Sequence, residues 1–120
     1  MNYRNKGTAY EEIAASYLSK NGVKILKKNF RIRQGEVDLI GEDTSHLIFI
    51  EIKFRSSDKY GEPELAISVN KMKKICKVAE YYLMYNPTDK QIRYDVICIC
   101  YDRIRWYKHA FYHIGNSTFQ

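Results

Sequence analysis

Three side chains in two neighbouring segments hold the most chemical promise. They are Asp38 in Gly35-Glu36-Val37-Asp38-Leu39-Ile40, and Glu51 and Lys53 in Leu47-Ile48-Phe49-Ile50-Glu51-Ile52-Lys53-Phe54-Arg55. Strand side chains alternate between faces. Leu47, Phe49, Glu51, Lys53 and Arg55 therefore share one face of the second segment, and Glu36, Asp38 and Ile40 share one face of the first, opposite Val37 and Leu39. If the two strands form a hairpin with its loop at residues 43–46, Ile40 meets Phe49, Asp38 meets Glu51 and Glu36 meets Lys53. Residues so opposed have Cβ atoms about 4.5–5.5 Å apart. Two carboxylates at that distance repel unless a cation lies between them. Lys53 can supply one, and a divalent ion does so better. Mg²⁺ is typically held by one or two carboxylates, waters and phosphate, which is the setting of metal-assisted phosphodiester hydrolysis. The same charges also fit a solvated strand end with an ordinary Glu36–Lys53 pair. What favours the metal site is that acids and lysine converge at the ends of otherwise apolar strands.

The elements that must position these groups can be read along the chain. Thr8-Ala9-Tyr10-Glu11 has capping-box spacing, and Tyr10, Ile13, Ala14, Tyr17 and Leu18 recur at helical period, so a helix is expected over residues 8–21, stopped by Asn21-Gly22. Glu11 flanks the apolar stripe. It could reach the sheet or serve only as the partner of the Thr8 cap. Strands are expected over residues 23–33, 36–41 and 47–55, with Asp43-Thr44-Ser45 as a turn and a longer loop over residues 56–67. Met72, Ile75, Cys76, Ala79 and Leu83 form the stripe of a second helix ending at Asn86-Pro87. Two strands follow, over residues 92–101 and 104–112. The order α-β-β-β-α-β-β calls for an α/β fold, a central sheet with helices packed against it.

Length and composition set the bounds. A chain of 120 residues suits one domain spanning 1–120, with 45% hydrophobic and 28% charged residues arguing against disorder. A net charge of +6 leans toward a polyanionic partner such as nucleic acid. Three cysteines make no disulfide framework, and no well-spaced His completes a zinc site around Cys98 and Cys100. Buried reduced thiols, no apolar leader and no membrane-length apolar run point to the cytoplasm.

Other candidates carry less. Lys71, Lys73, Lys74 and Lys77 crowd the start of the second helix, where cations oppose the helix dipole. Phosphate binding is one reason for them, and a solvated face is another. Arg93 and Asp95 alternate on one strand face and read as a structural ion pair, with membership of the site as the lesser alternative. His109 and His113 fall in a strand-like context and read as structural. There is no Gly-rich phosphate loop and no Ser/His/Asp or Cys/His nucleophile arrangement.

Gly7, Glu11, Asn29-Phe30-Arg31, Gly35-Glu36-Val37-Asp38-Leu39-Ile40, Phe49 to Arg55, Gly61, Lys71, Ala79 and Arg93-Tyr94-Asp95-Val96 together resemble the YraN-like family of bacterial proteins over nearly the whole chain. The resemblance implies the restriction-endonuclease-like (PD-(D/E)XK) fold, shared with archaeal Holliday junction resolvases and many nucleases. It implies Asp38 and Glu51 as ligands of Mg²⁺ or Mn²⁺, with the Ile52 carbonyl as a further ligand and Lys53 contacting the attacking water or scissile phosphate. Glu11 matches the first-helix acid of resolvase-like members. Val37 departs from the superfamily's frequent Pro before the first acid. The leading expectation is a metal-dependent endonuclease-like protein acting on DNA, branched or damaged forms included, with Arg55, Lys71 and Lys74 positioning the backbone. A non-catalytic nucleic-acid-binding module on the same fold, or a structural adaptor, are the alternatives. A homodimer would suit two symmetric cuts.

Overall fold

The computed structural model describes the backbone of residues 3–55 and 67–115. The elements are α1 (Tyr3–Lys20), β1 (Lys24–Ile32), β2 (Gly35–Glu42), β3 (His46–Arg55), α2 (Val69–Tyr85), β4 (Gln91–Cys100) and β5 (Arg103–Phe111), in the expected order. The helix α1 begins at Tyr3, upstream of the expected cap, so Thr8 lies inside it and the capping-box role of Thr8 and Glu11 falls away. Nearly all of the 56–67 loop lies outside the described residues.

The five strands form one sheet in sequence order, β1-β2-β3-β4-β5. Hairpins make every pairing antiparallel except β3–β4, which is parallel because α2 carries the chain back across the sheet. A parallel central strand is covered on both faces, and Arg93 to Cys100 of β4 are all buried.

Each helix covers one face. Ala14, Ala15 and Leu18 of α1 pack with Val23, Leu39, Ile48, Ile50, Ile97 and Ile99. The two alanines allow close approach of the helix, whereas Ile13, expected in the stripe, is exposed. On the opposite face Ile75, Val78, Ala79 and Tyr82 of α2 pack with Val37, Ile40, Leu47, Phe49, Tyr94 and Phe111. The start of α2 is fixed by Ser68, whose hydroxyl accepts from the Lys71 amide, and its end by Asn86, whose amide donates to the Tyr82 carbonyl. Gly35 permits the crossing of α2 over β2, because a Cβ there would stand 3.2 Å from the Lys74 Cβ. Among the described residues no helix is long and apolar enough to cross a membrane.

Candidate metal and phosphate site

The hairpin has the anticipated register: Glu42 pairs with Leu47, Ile40 with Phe49 and Leu39 with Ile50. Asp43 sets it from the turn, its Oδ1 accepting from the amides of Ser45 at 2.9 Å and His46 at 2.7 Å. The ladder stops at Leu39–Ile50, and from Asp38 backward β2 is paired with β1 alone. Strict alternation would place Val37 and Leu39 on one face, as expected from the sequence. Instead Val37 joins the α2-side core and Leu39 the α1-side core, so the strand departs from alternation at Asp38. The neighbouring strand is irregular at the same level. Asn29, between the paired positions Lys28↔Leu39 and Phe30↔Val37, has a left-handed φ of 53°.

This divergence is what brings the acids together. With no strand partner at that point, the Ile52 amide of β3 donates to Asp38 Oδ2 at 2.7 Å. The Asp38 and Glu51 carboxyls share a hydrogen bond. Burial, then the negative charge of Glu51 and their shared hydrogen bond, push Asp38 from 3.8 up to about 8, against the lowering effect of the Ile52 amide. Burial and the adjoining Glu51 carboxyl thus favour the protonated form of Asp38. Lys71 Nζ lies 3.0 Å from Glu51 Oε2, and the Glu51 carboxylate raises its pKa. The cation that made no sense for the helix dipole is explained by a tertiary partner. Phe49 packs in the α2-side core, so alternation from it places Glu51, Lys53 and Arg55 on the α2 side of β3.

Several candidates lie elsewhere. Glu11 accepts from Asn29 Nδ2 at 2.7 Å, and Glu12 pairs with Lys28 at 2.8 Å, so the two acids tie α1 to β1. Glu36 pairs with Arg31 of β1 at 2.9 Å; the β2–β3 ladder does not extend to a Glu36–Lys53 position. Lys74 is exposed on α2 beside Gly35. Among the described residues no group of three or more His, Cys, Asp or Glu is placed to hold a metal. The donor chemistry nonetheless fits a hard divalent ion: two carboxylates already in contact, with the rest of Mg²⁺'s octahedral shell left to water and phosphate. Sequence reasoning overlooked Asn29 as the residue joining Glu11 to the strand beside Asp38. Its one local signal is that Asn tolerates left-handed backbone.

Residues 10–99 match the family described as "Uncharacterised protein family UPF0102". The chain belongs to this family. A UPF0102 protein of Lachnoclostridium phytofermentans is 38% identical over 97% of this chain and 100% of its own length. Another, from Clostridioides difficile (strain 630), is 44% identical over 81% of this chain and 86% of its own length. A crystal structure of a protein called SSO0001 is similar at a TM-score of 0.42 and 22% identity, covering 86% of this chain; this chain spans half of that one. Element order and sheet pairing in this UPF0102 member are those of the expected α/β fold, a central mixed sheet with helices packed against it.

Proposed function

We propose that this UPF0102 protein is a metal-dependent endonuclease-like protein that hydrolyses DNA phosphodiester bonds. The observation that carries the reading is the Asp38–Glu51 carboxyl pair, held where β2 leaves β3 and flanked by Lys71. Asp38, Glu51 and the Ile52 carbonyl would hold Mg²⁺ or Mn²⁺. Such an ion supplies a bound water of lowered pKa and neutralises charge on the phosphate.

The chain's own groups do the rest. The Ile52 amide fixes the Asp38 carboxyl, so the acid needs no reorganisation to accept a cation. Loss of the Asp38 proton is the event that readies the pair. Lys53 would orient the attacking water and stabilise charge developing on the phosphate. Lys71 holds Glu51 in the resting state and stands ready to meet a phosphate oxygen, while Arg55 and Lys74 would position the DNA backbone.

One feature favours a second reading, a nucleic-acid-binding module with a silent site: Lys71 and the Asp38 proton already neutralise the acids. A single assay separates the two. Linear, flapped and four-way DNAs are incubated with the protein and Mg²⁺ or Mn²⁺. The enzyme nicks at least one of them and loses the activity in Glu51→Ala and Lys53→Ala. Metal-independent nicking, or nicking that survives both substitutions, overturns the proposal. Binding without cleavage leaves the module.

A further inference from the structure

The outer surface of α2 carries a line of side chains at four-residue spacing: Lys73, Lys77, Tyr81 and Tyr85. Side chains so spaced sit one above another along a helix. Tyr81 is 43% and Tyr85 67% exposed, and their rings are 5.1 Å apart at 50°. Phe30 of β1 lies 6.3 Å from Tyr81 and supports it from below. Charge gathers in the same place. Lys73, Lys74 and Lys77 of α2 are exposed, and the one acid of that helix, Glu80, is held by His113 at 2.9 Å.

A tyrosine pair alone could be local helix packing. That accounts for neither its exposure nor the lysines in line with it. The complementary ligand must be anionic and must offer flat apolar faces. Unpaired bases on a phosphodiester strand do both, since every base has a π-face for an aromatic ring and every linkage a charge for a lysine. A duplex hides its base faces, and an acidic peptide lacks a regular supply of them.

We propose that Tyr81 and Tyr85, with Lys73 and Lys77, form a platform for a single DNA strand leading away from the Asp38–Glu51 pair. This deepens the nuclease reading, and rests on it for the substrate: DNA with an unpaired arm. The spacing is consistent. At about 1.5 Å per helical residue, Tyr81 and Tyr85 lie roughly 15 and 21 Å beyond Lys71 along α2. At about 3.4 Å per stacked nucleotide, the rings meet bases about four to six nucleotides from a phosphate at Lys71.

The test is fluorescence anisotropy on the full chain in EDTA, with labelled oligothymidine and a duplex of equal length. Tyr81→Ala with Tyr85→Ala is expected to weaken oligothymidine binding about tenfold or more, as loss of stacked bases should, and to leave duplex binding within about twofold of wild type. The paired Phe variants, which keep the rings and the fold, should bind as wild type does. Ala variants of Tyr101 and Tyr112, exposed elsewhere, should also be unchanged. Wild-type affinity in the double Ala variant, an equal loss for duplex, a loss in the Phe variants, or displacement of the oligonucleotide by polyglutamate at equal charge overturns the platform. Binding is read without metal and cleavage separately with Mg²⁺ or Mn²⁺: failure to nick in the cleavage assay with intact selective binding sinks the nuclease and spares the platform. Nicking with unaltered binding in the Ala variant does the reverse.

Discussion

Two aspartates on the same sheet, Asp95 buried and Asp38 half-buried, have opposite circumstances. On the α1 side, Asp95 lies within a complete set of donors. Arg93 forks onto it at 2.8–3.2 Å, the Trp106 indole N–H donates at 2.9 Å, and the His109 amide donates at 3.1 Å. On the α2 side, Asp38 has one amide at 2.7 Å and, on its other flank, a second carboxyl. A buried carboxylate needs compensating charge or hydrogen bonds. Asp95 receives both from the fold and is scaffold. Asp38 receives too little, keeps a proton instead, and is therefore poised to accept a cation. The difference separates a structural ion pair from a site more sharply than residue type does.

The comparison can be broken at several points. The largest effect is expected on activity: Glu51→Ala should lower metal-dependent nicking by about a hundredfold or more, as loss of a preorganised charged group does, while the thermal unfolding midpoint stays close to wild type. An inactive but unfolded variant would make Glu51 scaffold as well. Asp95→Ala should instead cost about 3–5 kcal/mol in urea unfolding, because it removes the forked partner of a buried guanidinium and leaves it only Asp43 at 3.7 Å. A cost below about 1 kcal/mol, the level of an exposed pair, would remove the contrast.

A subtler effect should appear with pH. Asp38 binds its proton more tightly folded than unfolded, with its pKa raised from 3.8 to about 8. Its contribution to stability is therefore complete below about pH 4 and is lost as pH rises toward 8, at a slope of at most about 1.4 kcal/mol per pH unit. Asp38→Asn has no proton to lose, so it should gain on wild type across that window in metal-free buffer. Parallel stability curves for the two proteins would show that Asp38 is as well satisfied as Asp95. The smallest effect belongs to Lys71→Ala. Lys71 is half-exposed, and its removal should cost under about 1 kcal/mol. A cost equal to that of Asp95→Ala would mean that Lys71 and Glu51 form a structural pair of the Arg93–Asp95 kind.

Much of this arrangement was legible in the chain. The β2–β3 register agrees with a hairpin loop at residues 43–46, where Asp43 ties the turn through the Ser45 and His46 amides. The Arg93–Asp95 pair follows from two residues sharing a face of a β-branched strand. The start of α1 did not follow, because a capping motif is a local pattern and the helix hydrogen bonds continue upstream of it to Tyr3. The expected shared face of Val37 and Leu39 failed for a related reason. Alternation assumes continuous pairing, and β2 loses its β3 partner at Asp38.

By itself, the sequence determined the order of elements, the apolar faces of the strands and the placement of two acids and a lysine near the ends of adjoining strands. These depend on periodicity and turn chemistry, which act over a few residues. The tertiary structure alone decided that Lys71 meets Glu51, that Glu11 is taken by Asn29, and that Asp38 keeps its proton. Those outcomes depend on distance and burial among groups far apart in the chain, which become defined only when helix and sheet exclude water together.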